Sequence, residues 1–385
     1  FLEVKKDSFS KFSISKISDF ERNPYQFFVK RVLGIAEERD IDIDNLVTGK
    51  FFHAVMSEKR IINFIAECGS KFDIDVQKDE DIARRFNIKE ILSDVIYSSD
   101  NKDILETLKL IELLNTHKYI LNNMIMRLEI AIAIEIKYFA LTNFIPTFLE
   151  RSFSLEIVDN VITCKNEKTG EISKKELQHK YNIPPIKFTG VIDRVDVNGK
   201  NISIIDYKSS QSDFSLDSLE LGFISQILTY ALACEMMFDR NSEDILGIFY
   251  REIAKLGKNL KTYRLRGLAN SDLILDDEFY DKAPEIMYVR TTKAKKIHGA
   301  DSHKAFTSPE LEKLVNKNLE NIMKLLEKIF EFNFSLDNYE IGNQYSAEKE
   351  TLFNISSNSD TRLSYKEKVE LKSKDLKEKL LNDLK

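Results

Sequence analysis

Apolar positions along the chain change their spacing near Pro146, and that change divides the molecule. Before it, apolar residues recur at three and four, the signature of helices. Ser13 or Ser15 can cap a first helix around residues 16–20. Asn23-Pro24 reads as an N-cap followed by proline at the first helical position, opening a second short helix over 25–32 that Gly34 ends. Asp42–Asp44 lead into a helix holding "GKFFHAVM", and residues 80–141 are helical almost throughout. After Pro146 the spacing becomes alternation. "TFLERSFSLEIV" and "VITCK" read as strands, followed by a polar insert ending at Pro184-Pro185. Residues 188–197 and 202–208 flank Asn198-Gly199, a strong hairpin signal. "LDSLELGFISQILTYALACEMMF" reads as one helix with Gly222 near its start. "ILGIFYRE" and "LKTYRLRGL" read as further strands. Ser308-Pro309 opens a long amphipathic helix, and a charged helical pattern follows Ser364.

The hairpin carries charges that a core does not need. Side chains alternate faces along a strand, so Asp206 and Lys208 share a face and Tyr207 points the other way. Asp193 lies on the facing strand. Two carboxylates and an ammonium on one face are costly to bury without a partner. A divalent cation is one such partner, since Mg²⁺ takes hard oxygen ligands and often only one or two carboxylates. The alternative is a surface hairpin whose charges form ordinary exposed ion pairs, which are weak and common. Gln226 and Tyr230 stand four apart on one helical face, as a polar pair in an apolar segment or as a buried pair satisfied by backbone. Gly49 and His53 also share a helical face, although a lone histidine is more often structural than a ligand. Glu150 in "TFLERSF" can be a further ligand, an acid supporting one, or an edge-strand charge.

Composition narrows the class. The 385 residues are 43% hydrophobic, enough for a sizeable core. Three widely spaced cysteines show no C-x-x-C pair, which points to a reducing compartment, and with no leader and no apolar run of spanning length the expected location is the cytoplasm. The chain opens at Phe1 and not Met, leaving a fragment, a processed chain and a trimmed one open. The net charge of −6 requires any nucleic-acid binding to be local, through metal ions or a basic patch. The richest basic stretch is "VRTTKAKKIHGADSHK", where Lys293, Lys295 and Lys296 can neutralise phosphates or form a solvated loop. No G-x-x-x-x-G-K-S/T occurs, so the chain shows no ATP site of its own.

The order G-x-x-x-H, "FLERSF", "GVIDRVD", "IIDYKSS", Q-x-x-x-Y resembles the PD-(D/E)XK nuclease superfamily, and within it the RecB/AddB-type nuclease domain. "FSISKISDFERNPYQFFVKRVLGI" at the start, and "GIFYREI", "RLRGL" and "SPELEKLVNKNLENIMKLLEKI" later, extend the likeness over most of the chain outside the helical block. The resemblance implies an α/β fold with a restriction-endonuclease-like mixed sheet flanked by helices. It implies one domain over 1–385, with a helical insertion at about 80–141, a catalytic core at about 146–265 and C-terminal helices at about 308–385. By the same resemblance His53, Asp193, Asp206 and the Tyr207 carbonyl hold Mg²⁺ or Mn²⁺, and Lys208 is the catalytic lysine. Gln226 and Tyr230 support that lysine or contact the DNA backbone, and Glu150 is the least constrained member. The implied activity is metal-dependent DNA hydrolysis, of exonuclease type, in end processing for double-strand-break repair and recombination, together with a helicase partner or an upstream helicase-like region. A silent DNA-binding or helicase-scaffolding module is the alternative, and a nuclease of a mobile element or adaptation system shares the chemistry. Many relatives of this type hold an iron–sulfur cluster on four cysteines. Here Asn23 stands at the first cysteine position and "ETLFNISSNSDTRLSY" has none, so no cluster is expected, and either packing joins the two ends or the terminal helices are looser than in clustered relatives.

Overall fold

The computed structural model describes residues 9–35, 43–72, 82–113, 117–167, 169–208, 212–253, 264–276, 279 and 281–334. The expected tail helix beyond Ser364 and the strand start at 260–263 lie outside the described residues.

A nine-stranded mixed sheet forms the centre. Its strands are β1 (Lys11–Ser13), β2 (Ile145–Val158), β3 (Val161–Lys165), β4 (Ile172–Glu176), β5 (Ile186–Asn198), β6 (Asn201–Lys208), β7 (Ile245–Glu252) and β8 (Arg266–Asn270). A separate hairpin, β9 (Thr291–Thr292) and β10 (Lys296–Ile297), precedes the last sheet strand, β11 (Ala305–Phe306). The main order is β11-β8-β7-β6-β5-β2-β3-β4, with β1 also paired to β5. This is the restriction-endonuclease-like mixed sheet that the resemblance implies.

The helices before the sheet are α1 (Ile14–Arg22), α2 (Pro24–Phe27), α3 (Asn45–Met56), α4 (Lys59–Ser70), α5 (Ile82–Arg85), α6 (Ile88–Ser98), α7 (Lys102–Leu113) and α8 (His117–Thr142). Ser13 caps α1, Asn23 caps α2 ahead of Pro24, and Asp44 caps α3, each with its side-chain oxygen on a first-turn N–H. Four helices, α5 to α8, thus occupy the segment read as a helical insertion.

Several local expectations need correction. Asn198 pairs with Asn201, so the turn residues are Gly199 and Lys200 instead of Asn198 and Gly199. Gly199 takes a φ of +60°, and a positive φ at the first turn position alone is the pattern of a type II′ turn. The helix expected from Leu216 onward is two, α9 (Leu216–Glu220) and α10 (Gln226–Phe238), broken where Gly222 takes a φ of +93°. The polar insert before Pro184 contains β4, whose "ISKKE" alternates half-buried and exposed positions. The basic stretch from Val289 is ordered as the β9–β10 hairpin and a 3₁₀ turn (Gly299–Lys304) instead of a loop. Past β8, α11 (Ser271–Ile274) and α12 (Ala283–Ile286) precede that hairpin, and α13 (Ser308–Phe330) follows β11.

The pair β6 and β7 is parallel, and the chain crosses between them through α9 and α10. One face of the sheet, with Ile192, Val195, Ile204 and Ile248, packs on α10 and α13. The other face packs Ile205 and Phe249 against α12 residues. The helical block has its own core, which Tyr207 and Ile253 join from the sheet side. Phenylalanines link the beginning of the described chain to its end. Phe9 and Phe12 meet the Phe330 ring edge-on, and Phe20, Phe27 and Phe28 surround Phe334 at 5.0–6.2 Å. The two ends are therefore joined by aromatic packing.

Candidate active site

Three neighbouring strands bring the acids into one row. The pair Arg194–Ile205 fixes the β5–β6 register, so Asp193 and Asp206 face each other one step on. Glu150 falls between the pairs Leu149–Arg194 and Arg151–Ile192, which sets it opposite Asp193. Tyr250 on β7 continues the row beside Asp206. Glu150 takes a φ of +46° within its strand, a region that non-glycine residues rarely adopt. Such strain persists where surroundings fix it, and it collects at functional sites.

His53 enters from α3. Its Nδ1 lies 3.3 Å from Glu150 Oε1 and 3.5 Å from Asp193 Oδ2, while Nε2 lies 3.3 Å from the Tyr207 carbonyl oxygen. Ligand atoms of His53, Glu150 and Asp193 all fall within 4.8 Å of one another. The Tyr207 N–H donates to Asp193 Oδ2 at 2.9 Å, holding that carboxyl against the stretch of chain that carries the lysine.

Lys208 is fixed by an ion pair and a hydrogen bond. Its Nζ stands 2.5 Å from Asp206 Oδ2 and donates to Gln226 Oε1 at 2.9 Å. Gln226 Nε2 in turn donates to the Tyr230 hydroxyl at 2.5 Å. Tyr230 is 2% exposed, so it reaches the site through Gln226; a direct DNA contact, the other role raised for it, does not suit this position. The loop before Gln226 is anchored from both ends of the fold. Glu21 of α1 accepts the Ile224 N–H at 2.5 Å, and Asn318 of α13 accepts the Ser225 N–H at 2.6 Å. Lys293, Lys295 and Lys296 are exposed on the β9–β10 hairpin, a different element from those that build this cluster.

The electrostatics are those of acids crowded out of water. Burial raises Asp193 to about 7, with the facing Asp206 pushing the same way and His53 opposing. Burial also raises Asp206, against the pull of Lys208. Burial alone would lower His53, but its hydrogen bond to Glu150 and the charges of Asp193, Glu150 and Asp206 lift it to about 8.

The donor set fits a divalent cation. His53, Glu150 and Asp193 bring an imidazole and two carboxylates together, with the Tyr207 carbonyl beside His53 and the Asp206 carboxylate facing Asp193. Asp206 is 1% exposed, and neither of its oxygens accepts an aligned hydrogen bond. A buried carboxylate left short of donors is the position a cation completes.

One group escaped the sequence reading. On the opposite face of β5, Arg194 donates to both oxygens of Asp196 at 2.6 Å, to Glu135 Oε2 at 2.6 Å and to the Tyr207 hydroxyl at 2.7 Å. Arg251 Nε stands 2.8 Å from Glu135 Oε1. The helical block therefore contributes a charged residue directly behind the site. A lone acid inside the apolar run "IAIAIEIKYF" of α8 is the signal that marks it.

A mixed sheet with an acid row and a lysine in the "IIDYK" strand defines a nuclease of the PD-(D/E)XK type, and the model of the PD-(D/E)XK nuclease superfamily matches residues 11–340. The chain belongs to that superfamily. Within it, the chain is similar to a subunit of the ATP-dependent helicase/deoxyribonuclease of Limosilactobacillus reuteri (strain DSM 20016), 24% identical over 361 residues, covering 86% of this chain and 27% of the relative. The same-named protein of Thermoanaerobacter sp. (strain X514) is 25% identical over 356 residues, covering 86% of this chain and 28% of the relative. That of Lactobacillus johnsonii is 24% identical over 377 residues, covering 87% and 30%. The chain thus spans less than a third of the length of these relatives. Among the described residues, no helix is long and apolar enough to cross a membrane.

Proposed function

We propose that this chain is a Mg²⁺- or Mn²⁺-dependent deoxyribonuclease. It would act as the nuclease domain of a helicase–nuclease system that processes DNA ends by exonuclease action in double-strand-break repair and recombination. The observation that carries the reading is Asp206: a buried carboxylate facing a second acid, short of donors, with Lys208 held 2.5 Å away. His53, Asp193, Asp206 and the Tyr207 carbonyl would hold the cation, and Glu150 joins them by its place beside His53. When bound, the cation supplies charge neutralisation at the scissile phosphate and a lowered pKa for an attacking water.

The chain's own residues do the rest. Lys208 donates one N–H to Gln226 and stands in ion-pair contact with Asp206, which leaves N–H capacity for a phosphate oxygen. Tyr230 holds Gln226, and Gln226 holds the lysine, so the ammonium is set in place before substrate arrives. Asp193, up to about 7 without a cation, gives up its proton when one binds. Lys293, Lys295 and Lys296 would meet the backbone of the DNA strand through sequence-independent charge contacts. A helicase partner, a cytoplasmic location and one domain over residues 1–385 complete the proposal; the helicase/deoxyribonuclease name of the similar proteins supports the first of these.

The deciding experiment incubates the protein with single- and double-stranded DNA and Mg²⁺ or Mn²⁺, beside Asp206→Ala and Lys208→Ala. Cleavage by the wild type with each variant reduced about 100-fold or more is expected. Equal cleavage by all three proteins sinks the reading.

A further inference from the structure

A cavity of about 430 Å³ opens beside the candidate active site, and Lys208 and Gln226 form part of its wall. Ser15 and Ser18 of α1 face it from another element, and Ser215 and Ser218 at the start of α9 from a third. Phe214 and Phe223, both half-buried, also line it. The volume lies in the range of small-ligand sites and suits one nucleotide.

Its chemistry suits a base and sugar better than a second phosphate. Serine hydroxyls donate and accept by rotation, so they can meet any base edge or sugar oxygen. Phenylalanine faces stack on bases without preference. The acids in the wall are already engaged. Asp19 is held by Arg31 at 2.6 Å, and Asp213 lies 3.4 Å from Lys304 Nζ. Glu21, raised to about 7 chiefly by burial, accepts the Ile224 N–H. Of the cations in the wall itself, Arg22 lies on α1 next to Glu21, whereas Lys208 stands at the wall shared with the acid row.

We infer that this cavity is the subsite for the nucleoside adjoining the scissile phosphate, with the phosphate at Lys208 and the base among the serines and the Phe214 and Phe223 rings. The assignment rests on the nuclease reading for its link to cleavage but not for binding itself. The serine hydroxyls and phenylalanine rings give the subsite little base preference of their own, with Arg22 as a further donor fork in the wall.

The test fills the cavity. Ser18→Trp and Ser218→Trp are compared with wild type for binding of thymidine 5′-monophosphate, followed by NMR in EDTA, and for the KM of a labelled oligo-dT with Mg²⁺. Both variants are expected to weaken nucleotide binding and raise KM about tenfold, the loss of one stacked base, with an unchanged melting temperature. Phe214→Ala, expected to weaken binding about fivefold, serves if a tryptophan variant does not fold. Nucleotide affinity and KM within twofold of wild type in the folded variants overturn the subsite, whatever the enzyme cleaves. A wild type that cleaves nothing but loses nucleotide on filling keeps the subsite and sinks the nuclease reading.

Discussion

Residues 193 and 194 are neighbours on one strand and serve opposite purposes on its two faces. Behind the sheet, Arg194 and Arg251 meet Glu135 and Asp196, two cations with two acids. Burial would raise Glu135, but the two arginines hold it below the usual carboxylate range. Asp196 rises with burial to about 6, still charged at neutrality beside Arg194. In front, Asp193 faces Asp206 and Glu150 adjoins His53, with Lys208 as the nearest permanent cation. Acids there are driven up, and both oxygens of Asp206 lack an aligned donor, against one oxygen of Glu135 behind. Neutralised buried charge holds a fold in register; unneutralised buried charge is kept ready for something that binds. The contrast is local, because one residue, Tyr207, belongs to both: its hydroxyl to the back, its carbonyl and N–H to the front.

The contrast breaks most sharply under substitution of one charge on each face. Arg194→Met leaves Glu135 and Asp196 buried without their shared partner, and a loss of about 3–5 kcal/mol is expected by denaturant unfolding. Asp206→Asn removes a like-charge contact and should leave the metal-free protein as stable as wild type or more so, while cleavage is lost. Equal destabilisation by the two would show that the faces do not differ in kind.

The pH response is expected next in size. The unfolded chain releases the Asp193 proton near its ordinary value of 3.8, whereas the folded state keeps it to about 7. The contribution of this group to stability is therefore present at low pH and falls as pH rises across that window. His53 acts the same way between 6.5 and about 8, since its folded value is also raised. Without divalent cation, the wild type should lose on the order of 3 kcal/mol relative to Asp193→Asn between pH 4 and pH 8. Added Mg²⁺ should restore stability most at the high end, where the acids are already deprotonated. Thermal melts of both proteins across pH, with Mg²⁺ and with EDTA, measure it. A parallel course of the two proteins in EDTA would contradict the raised carboxyl.

The front face was largely legible in the sequence because it is local. Alternation places Asp193, Asp206 and Lys208 on one face of a hairpin, although the turn falls at Gly199-Lys200, one residue past the expected Asn-Gly, and an i, i+4 step pairs Gln226 with Tyr230. His53 needed the resemblance, since nothing in "GKFFH" tells which strand its helix covers. The back face was half legible: the same alternation puts Arg194 and Asp196 together, but their partner Glu135 lies 59 residues upstream of Arg194 on α8. Long-range pairing of that kind leaves no local pattern. The strained backbone at Glu150 was not legible at all, because leucine, glutamate and arginine carry no signal for a positive φ. Gly222 does signal the break between α9 and α10, but the apolar spacing runs straight through it and masks the signal.

Glu150 offers the next smaller test, one that sets stability against function at a single residue. Asn tolerates the left-handed region better than Glu, so Glu150→Asn should stabilise the metal-free protein by about 0.5–1 kcal/mol. It should also weaken Mg²⁺ binding, read by calorimetry, because the shorter side chain withdraws from His53. Destabilisation by Asn would mean that the backbone at 150 is not strained by its side chain.

The smallest effect on the site itself is expected at the residue the two faces share. Tyr207→Phe deletes the hydroxyl that accepts from Arg194 at 2.7 Å and leaves the backbone carbonyl and N–H of the site untouched. A cost of about 1–2 kcal/mol to unfolding is expected, for one buried hydrogen bond to a charged group. Cleavage rate and Mg²⁺ affinity should stay within about twofold, since Asp196 and Glu135 still fix Arg194 and the strand still fixes the carbonyl. A drop in Mg²⁺ affinity far beyond that, in a variant that remains folded, would show that the charge network behind the sheet sets the geometry in front, and that the two faces work as one device.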